Sequence, residues 1–144
     1  MYKRMLVAYD GSLLSRKAIE AAKYHAAQNS DSEVHIISVM NATGPMTNVY
    51  VSKSISNELI EKCRPQMVKI EEEFERENIS VVTDILLAEQ NENPGGFICK
   101  YAENYEIDLI IMGSRGLGNV RKIFLGSVSN HVVQNAKCPV LIIK

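Results

Sequence analysis

The chain has 144 residues, 46% of them hydrophobic and 23% charged, with a formal net charge of −1. That length reads as a single domain spanning 1–144, able to bury roughly 70% of its unfolded surface. The near-neutral charge excludes electrostatic recruitment by nucleic acid or an anionic membrane. The longest apolar run near the start, Met5 to Tyr9, is shorter than a signal-peptide core, and no stretch approaches the roughly 18 residues of a membrane span, so a cytoplasmic location is expected.

In chain order, residues 4 to 9, RMLVAY, form a short apolar run that stops at Asp10-Gly11-Ser12, the pattern of a buried strand ending in a turn. From Ser12 to about Asn29 the period changes to that of a helix, with Leu14, Ala18, Ala21 or Ala22 and His25 on one face and Ser12 placed to cap it. Glu33 to Val39, rich in β-branched residues, is the second strand. The segment from Met40 to about Ser54 contains Gly44-Pro45 and no sustained period, and is expected to be a surface loop. A helical stripe follows at Leu59 or Ile60, Cys63, Met67, Ile70 and Phe74; Pro65 lies inside it, so either the helix kinks or a separate helix begins there.

Ile79 to Leu87 is the third strand. After the polar segment Glu89 to Pro94, Gly95-Gly96 leads into a short helix marked by Ile98, Ala102 and Tyr105. Ile107 to Met112 is the fourth strand, a helix runs from about Ser127 to Asn135, and Pro139 to Ile143 is a final strand. Five strands alternating with four helices predict an α/β fold, an open and mainly parallel five-stranded sheet built from right-handed crossovers with helices on both faces.

Three cysteines, Cys63, Cys99 and Cys138, with no C-x-x-C, argue against a disulfide framework and a zinc site. His25, His35 and His131 fall on different elements without ligand spacing, so no metal site is assigned to them. The acidic run Glu71-Glu72-Glu73 with Glu75 and Glu77 reads as a solvated helix face.

The chemistry concentrates between Ile110 and Val133. An apolar strand end there gives way to a loop carrying Gly113, Gly116 and Gly118, and Gly126-Ser127 precedes the next helix. Glycines let a backbone approach a ligand closely, and a helix N-terminus offers unpaired N–H groups and partial positive charge, a combination suited to phosphate. A P-loop is excluded, because Asn119 and Val120 stand where Lys and Ser or Thr belong. A dinucleotide fingerprint is excluded too, because Arg121 occupies the third glycine position. What fits is G-x2-G-x9-G-S at Gly113, Gly116, Gly126 and Ser127.

With that spacing, the opening MLVAYDGS, the Asp-Leu-Ile-Ile-Met before the glycines and the ending CPVLIIK, the chain resembles the universal stress protein family over essentially its whole length, specifically its ATP-binding branch. The resemblance implies a Rossmann-like fold of the adenine nucleotide alpha hydrolase type, with the first and fourth strands side by side and ATP across the gap between them. It matches Asp10 to an acidic residue near the adenine, Val39 to the residue whose main chain meets the base, Gly113 and Gly116 to loop glycines near ribose and phosphates, and Gly126 and Ser127 to the pair holding the phosphate tail. Arg115, with Arg121 and Lys122, is a candidate for neutralising phosphate charge, or is a solvated loop cation. The resemblance further implies Mg²⁺ or Mn²⁺ riding on the phosphates and a homodimer formed through the C-terminal strand.

Plainer roles stand beside these. Asp10 can close an Asx turn or cap the first helix, and Ser127 can be an ordinary N-cap. Three functions are compatible with the residues. The first is a nucleotide-dependent sensor or signalling module in stress response. The second is a slow ATPase or autophosphorylating phosphotransferase in the same pocket, although no catalytic base is tied by spacing to the loop. The third is a dimeric partner-binding protein that does not depend on nucleotide, a reading disfavoured by the intact glycine spacing.

Overall fold

The computed structural model describes residues 1–41, 49–88, 92–115 and 126–144, apart from the side chains of 41, 49–56 and 59. In chain order the elements are β1 (Arg4–Ala8), α1 (Leu13–Ala26), β2 (Glu33–Asn41), α2 (Val49–Arg76), β3 (Ser80–Ala88), α3 (Pro94–Asn104), β4 (Leu109–Gly113), α4 (Ser127–Asn135) and β5 (Val140–Ile143). All five strands run parallel in the order β3-β2-β1-β4-β5. The chain therefore builds outward from β1 in one direction, then crosses back to build outward in the other.

The strand period of two divides the core into two layers. Met5 and Val7 of β1, Val34 and Ile36 of β2, and Leu109 and Ile111 of β4 face α1 and α2, where they meet Ala18, Ile19, Ala22, Cys63, Met67, Ile70 and Phe74. Leu6, Ile37, Ile110 and Met112 face the other way, against Ile98, Tyr101, Ala102 and Val132 of α3 and α4. Helices thus cover both faces, as the alternation of elements predicts. Cys63 is a buried member of the first layer, and Cys99 and Cys138 pack half-buried against the second; burial is the main reason both half-buried thiols titrate above their ordinary range.

Two expectations about the segment after β2 need correction. Met40 and Asn41 continue β2, and α2 begins at Val49, so the loop expected over 40 to 54 shrinks from both ends; 42–48 lie outside the described residues. No separate helix begins at Pro65 either, because α2 runs through it without interruption. Pro65 and Glu61, whose carbonyl loses its i+4 donor, both lie on the exposed side of α2, while Cys63, Met67, Ile70 and Phe74 bury the opposite side. Water can satisfy that carbonyl, which makes the proline tolerable there.

A charged cluster fastens α2 to α1. Lys23 is only 8% exposed, yet its Nζ reaches Glu77 at 2.8 Å and Glu73 at 3.2 Å and lies 5.3 Å from the centre of the Phe74 ring. Arg16 meets Glu73 at 2.6 Å. The Arg16 hydrogen bond, opposed by burial and reinforced by Lys23, holds the Glu73 carboxyl below the usual carboxylate range. The stabilisation from Glu73 is therefore present above the ordinary carboxylate pKa and is lost as pH falls through the lowered one.

Candidate functional site

The sheet order makes β1 and β4 neighbours, although Met5 pairs with the distant Leu109, and the crossovers leave them for opposite faces. That reversal is the topological switch point, where open α/β sheets bind ligands beyond the carboxyl ends of their strands. On β1, Val7 pairs with Ile111 of β4 and Ala8 pairs with Ile37 of β2. Carrying the two registers onward sets Val39 beside Asp10, and Asp10 beside Ser114, along one rim of the sheet. Tyr9 N–H donates to Ile37 O at 2.8 Å and Ser38 Oγ to Tyr9 O at 2.6 Å, which fixes the β1 and β2 ends of this rim.

Asp10 does close an Asx turn: its Oδ1 accepts from Ser12 N–H at 2.9 Å. This does not consume the group, because the side chain is exposed at the strand end and a carboxylate has a second oxygen. Gly11 follows with φ +84°, which turns the chain into α1. Ser12 then caps α1, accepting from Ser15 N–H at 3.2 Å. Val39 is half-buried and packs against the α3–α4 layer.

The glycines of the motif differ in what the fold asks of them. At Gly113, a Cβ would stand 2.7 Å from Leu14 Cβ and 3.2 Å from Arg115 O, so glycine is needed for α1 to sit against the end of β4. At Gly126 the nearest described atom to a Cβ would be Ser114 O at 3.5 Å, an ordinary contact, and its φ of −65° suits any residue. Gly116 lies outside the described residues, as do Arg121 and Lys122. Arg115 is half-buried at the foot of the loop.

Gly126 is the N-cap of α4, with no side-chain cap hydrogen bond, and Ser127 is the first helical residue, which corrects the reading of Ser127 as an N-cap. Ser127 is exposed. Because a glycine cap supplies no side-chain acceptor, the N-cap itself leaves the first N–H groups of α4 uncapped among the described residues.

Sequence reasoning missed the residues that hold these pieces together. The two feet of the glycine loop are joined by Gly126 N–H donating to Ser114 O at 2.8 Å, and the buried Ser129 hydroxyl adds a second bond to the same oxygen at 2.9 Å. Ser114 N–H in turn donates to Ile143 O of β5 at 2.8 Å. Behind α4, a Cβ on Gly95 would fall 2.9 Å from His131 Cβ and 3.0 Å from Val128 O, so this glycine admits α4 closely against α3. The Gly95-Gly96 pair was the only sequence signal for that contact; for Ser129 there was none, since a serine in a helix has no distinguishing pattern, and Ser114, just past β4, carried no signal of its own beside the glycines.

Among the described residues, no three His, Cys, Asp or Glu side chains cluster to hold a metal ion, and no helix is long and apolar enough to cross a membrane.

Comparison with known proteins places this geometry. A family model described as the universal stress protein family matches residues 1–144. The universal stress protein YxiE of Bacillus subtilis is 33% identical, with all of both chains covered. Among solved structures, that of MJ0577 from Methanocaldococcus jannaschii has a TM-score of 0.90 at 30% identity, covering 100% of this chain and 96% of that one. A universal stress protein from Archaeoglobus fulgidus in complex with dAMP shares the fold with a TM-score of 0.71 at 21% identity, covering 99% and 98%. Matched along its whole length, the chain belongs to the universal stress protein family.

Proposed function

We propose that the chain, acting as one domain, binds ATP across the β1–β4 gap and serves as a nucleotide-dependent sensor in stress response. In this reading Asp10 and Val39 meet the adenosine end. Gly113, Arg115 and Gly116 line the path of ribose and phosphates, and Gly126 and Ser127 receive the phosphate tail. The observation that carries it is the start of α4, where a glycine stands as N-cap although neither its φ nor its described neighbours require glycine. A bare helix N-terminus of this kind favours anionic oxygen, and the adjacent exposed Ser127 hydroxyl adds a donor. Support also comes from the dAMP complex of the Archaeoglobus fulgidus relative, an adenine nucleotide held by a protein of the same fold.

The proposed residues offer hard oxygen donors, a carboxylate and a hydroxyl, with no thiol or imidazole among them, which suits Mg²⁺ or Mn²⁺ riding on the phosphates. The test is mass spectrometry of small molecules released on denaturation, followed by calorimetric titration of Mg²⁺-ATP into emptied wild type and Ser127→Ala. Saturable ATP binding by the wild type, weakened about tenfold in the variant by loss of one hydrogen bond to a charged group, is the expected result. A wild type that binds no adenine nucleotide would refute the reading.

The same proposal includes a homodimer through β5. This strand is the sheet edge beyond β4, and all four of its residues are half-exposed. A terminal apolar edge offers unpaired N–H and C=O groups to a second copy. Deleting 140–144 is expected to give monomer or aggregate in sedimentation velocity, and an unchanged soluble dimer would count against it.

A further inference from the structure

We infer that Ser129 is a positioning residue for the phosphate end of the site, a clamp that sets the α4 N-terminus rather than a group that touches the nucleotide. The inference rests on the ATP reading above and goes beyond it, since Ser129 stands outside the glycine motif.

Ser129 is 3% exposed, two residues beyond the exposed Ser127, and its hydroxyl is aimed at two carbonyls, Ser114 O at 2.9 Å and Gly126 O at 3.1 Å. One of these closes the foot of the glycine loop where it leaves β4, and the other belongs to the N-cap of α4. A single hydroxyl therefore relates the loop's departure point to the helix start that would face the phosphates. Ser114 O already accepts from Gly126 N–H at 2.8 Å, so the pair of bonds fixes direction as well as distance. A helix N-terminus attracts an anion over the range of its first turn only, so a small shift of that turn moves its N–H groups off the phosphate while Val132, further along α4, stays in the core.

The chemistry of the clamp is also specific. Alanine at this position would still leave Ser114 O its bond from Gly126 N–H, and Gly126 O its bond from Asn130 N–H at 2.9 Å, so no buried carbonyl is orphaned and the fold is expected to persist. What is lost is the second of the two ties between loop foot and helix, the one that fixes direction, while the Gly126 N–H bond to Ser114 O remains. Threonine retains the hydroxyl, and in helices its Oγ1 bonds to carbonyls three or four residues back, as Ser129 does to Gly126.

The experiment is calorimetric titration of Mg²⁺-ATP, with adenosine titrated by NMR, into wild type, Ser129→Ala and Ser129→Thr, each checked for folding by circular dichroism. We expect Ser129→Ala to weaken ATP about tenfold, the loss of one buried hydrogen bond, while leaving adenosine affinity within about twofold, and Ser129→Thr to recover most of the loss. Amide exchange at Gly126 and Asn130, whose N–H groups bond Ser114 O and Gly126 O, should quicken in the nucleotide-free protein for Ser129→Ala and not for Ser129→Thr. The inference is overturned if Ser129→Ala titrates ATP as the wild type does, or if it loses ATP and adenosine in equal proportion, the mark of general loosening. A wild type that binds neither ligand would refute the ATP reading itself, a result separable from both.

Discussion

Gly113→Val is expected to destabilise the protein by roughly 1–3 kcal/mol, with or without nucleotide, as overpacking of a close contact does. A Cβ there would lie 2.7 Å from Leu14 Cβ. That neighbour is the root of a side chain in the first turn of α1, so relief requires the helix itself to move away from β4. Valine adds two methyl groups to the same crowded position, and the carbonyl of Arg115, 3.2 Å from the built Cβ, blocks another direction. Urea unfolding should show the midpoint falling at unchanged slope. Stability within about 0.5 kcal/mol of the wild type would mean that α1 yields at no cost, and the packing role of Gly113 would be withdrawn. The outcome matters for function, because a Gly113 variant that fails to bind nucleotide would have lost α1 packing at the same time. Gly113 is thus a poor probe of the ligand, although it stands first in the motif.

How much of this was legible beforehand can be read from particular residues. The strands and three of the helices announce themselves through period and punctuation, and the elements fall within two or three residues of expectation. The start of α2 did not, because Val51, Ser52, Ser54, Ile55 and Ser56 are weak helix formers, and Gly44-Pro45 just upstream extends the signature of a loop. At Pro65 the sequence left a kink and a separate helix both open for a related reason: the cost of the proline depends on which side of the helix it occupies, and only packing decides that. At the candidate site, the glycine spacing points to the carboxyl end of β4, but nothing local says that β1 lies beside it, since adjacency between distant strands is a property of topology. Resemblance to the family supplied that adjacency, and the β1–β4 register bears it out. Glycine spacing also cannot distinguish a glycine required by a neighbouring helix, as at Gly113, from one where a Cβ would meet described atoms only at ordinary contact distance, as at Gly126.

That distinction yields the sharper prediction. Gly126→Asp is expected to stabilise the fold slightly while weakening ATP binding about a hundredfold or more. Aspartate is among the best N-cap residues, and relative to glycine it adds a few tenths of a kcal/mol. Its charge at the positive end of α4 contributes about 0.3–1 kcal/mol more. The backbone already has N-cap geometry, φ −65° and ψ 168°, and a Cβ meets no described atom closer than 3.5 Å, so no described neighbour opposes the substitution. The same carboxylate, however, takes the N–H groups proposed for the phosphate and sets a negative charge beside it. At about 4 Å and an effective dielectric near 20, two like unit charges repel by about 4 kcal/mol, enough to weaken ATP by a hundredfold or more. Thermal unfolding and calorimetry on one preparation would check both halves, and the opposite signs carry the weight. A variant that loses affinity because it is damaged must also lose stability, whereas one that loses affinity while gaining stability has had its anion replaced by its own side chain. If Gly126→Asp bound ATP as well as the wild type does, the phosphates would lie elsewhere, and the bare start of α4 would be a structural feature with no ligand to explain it.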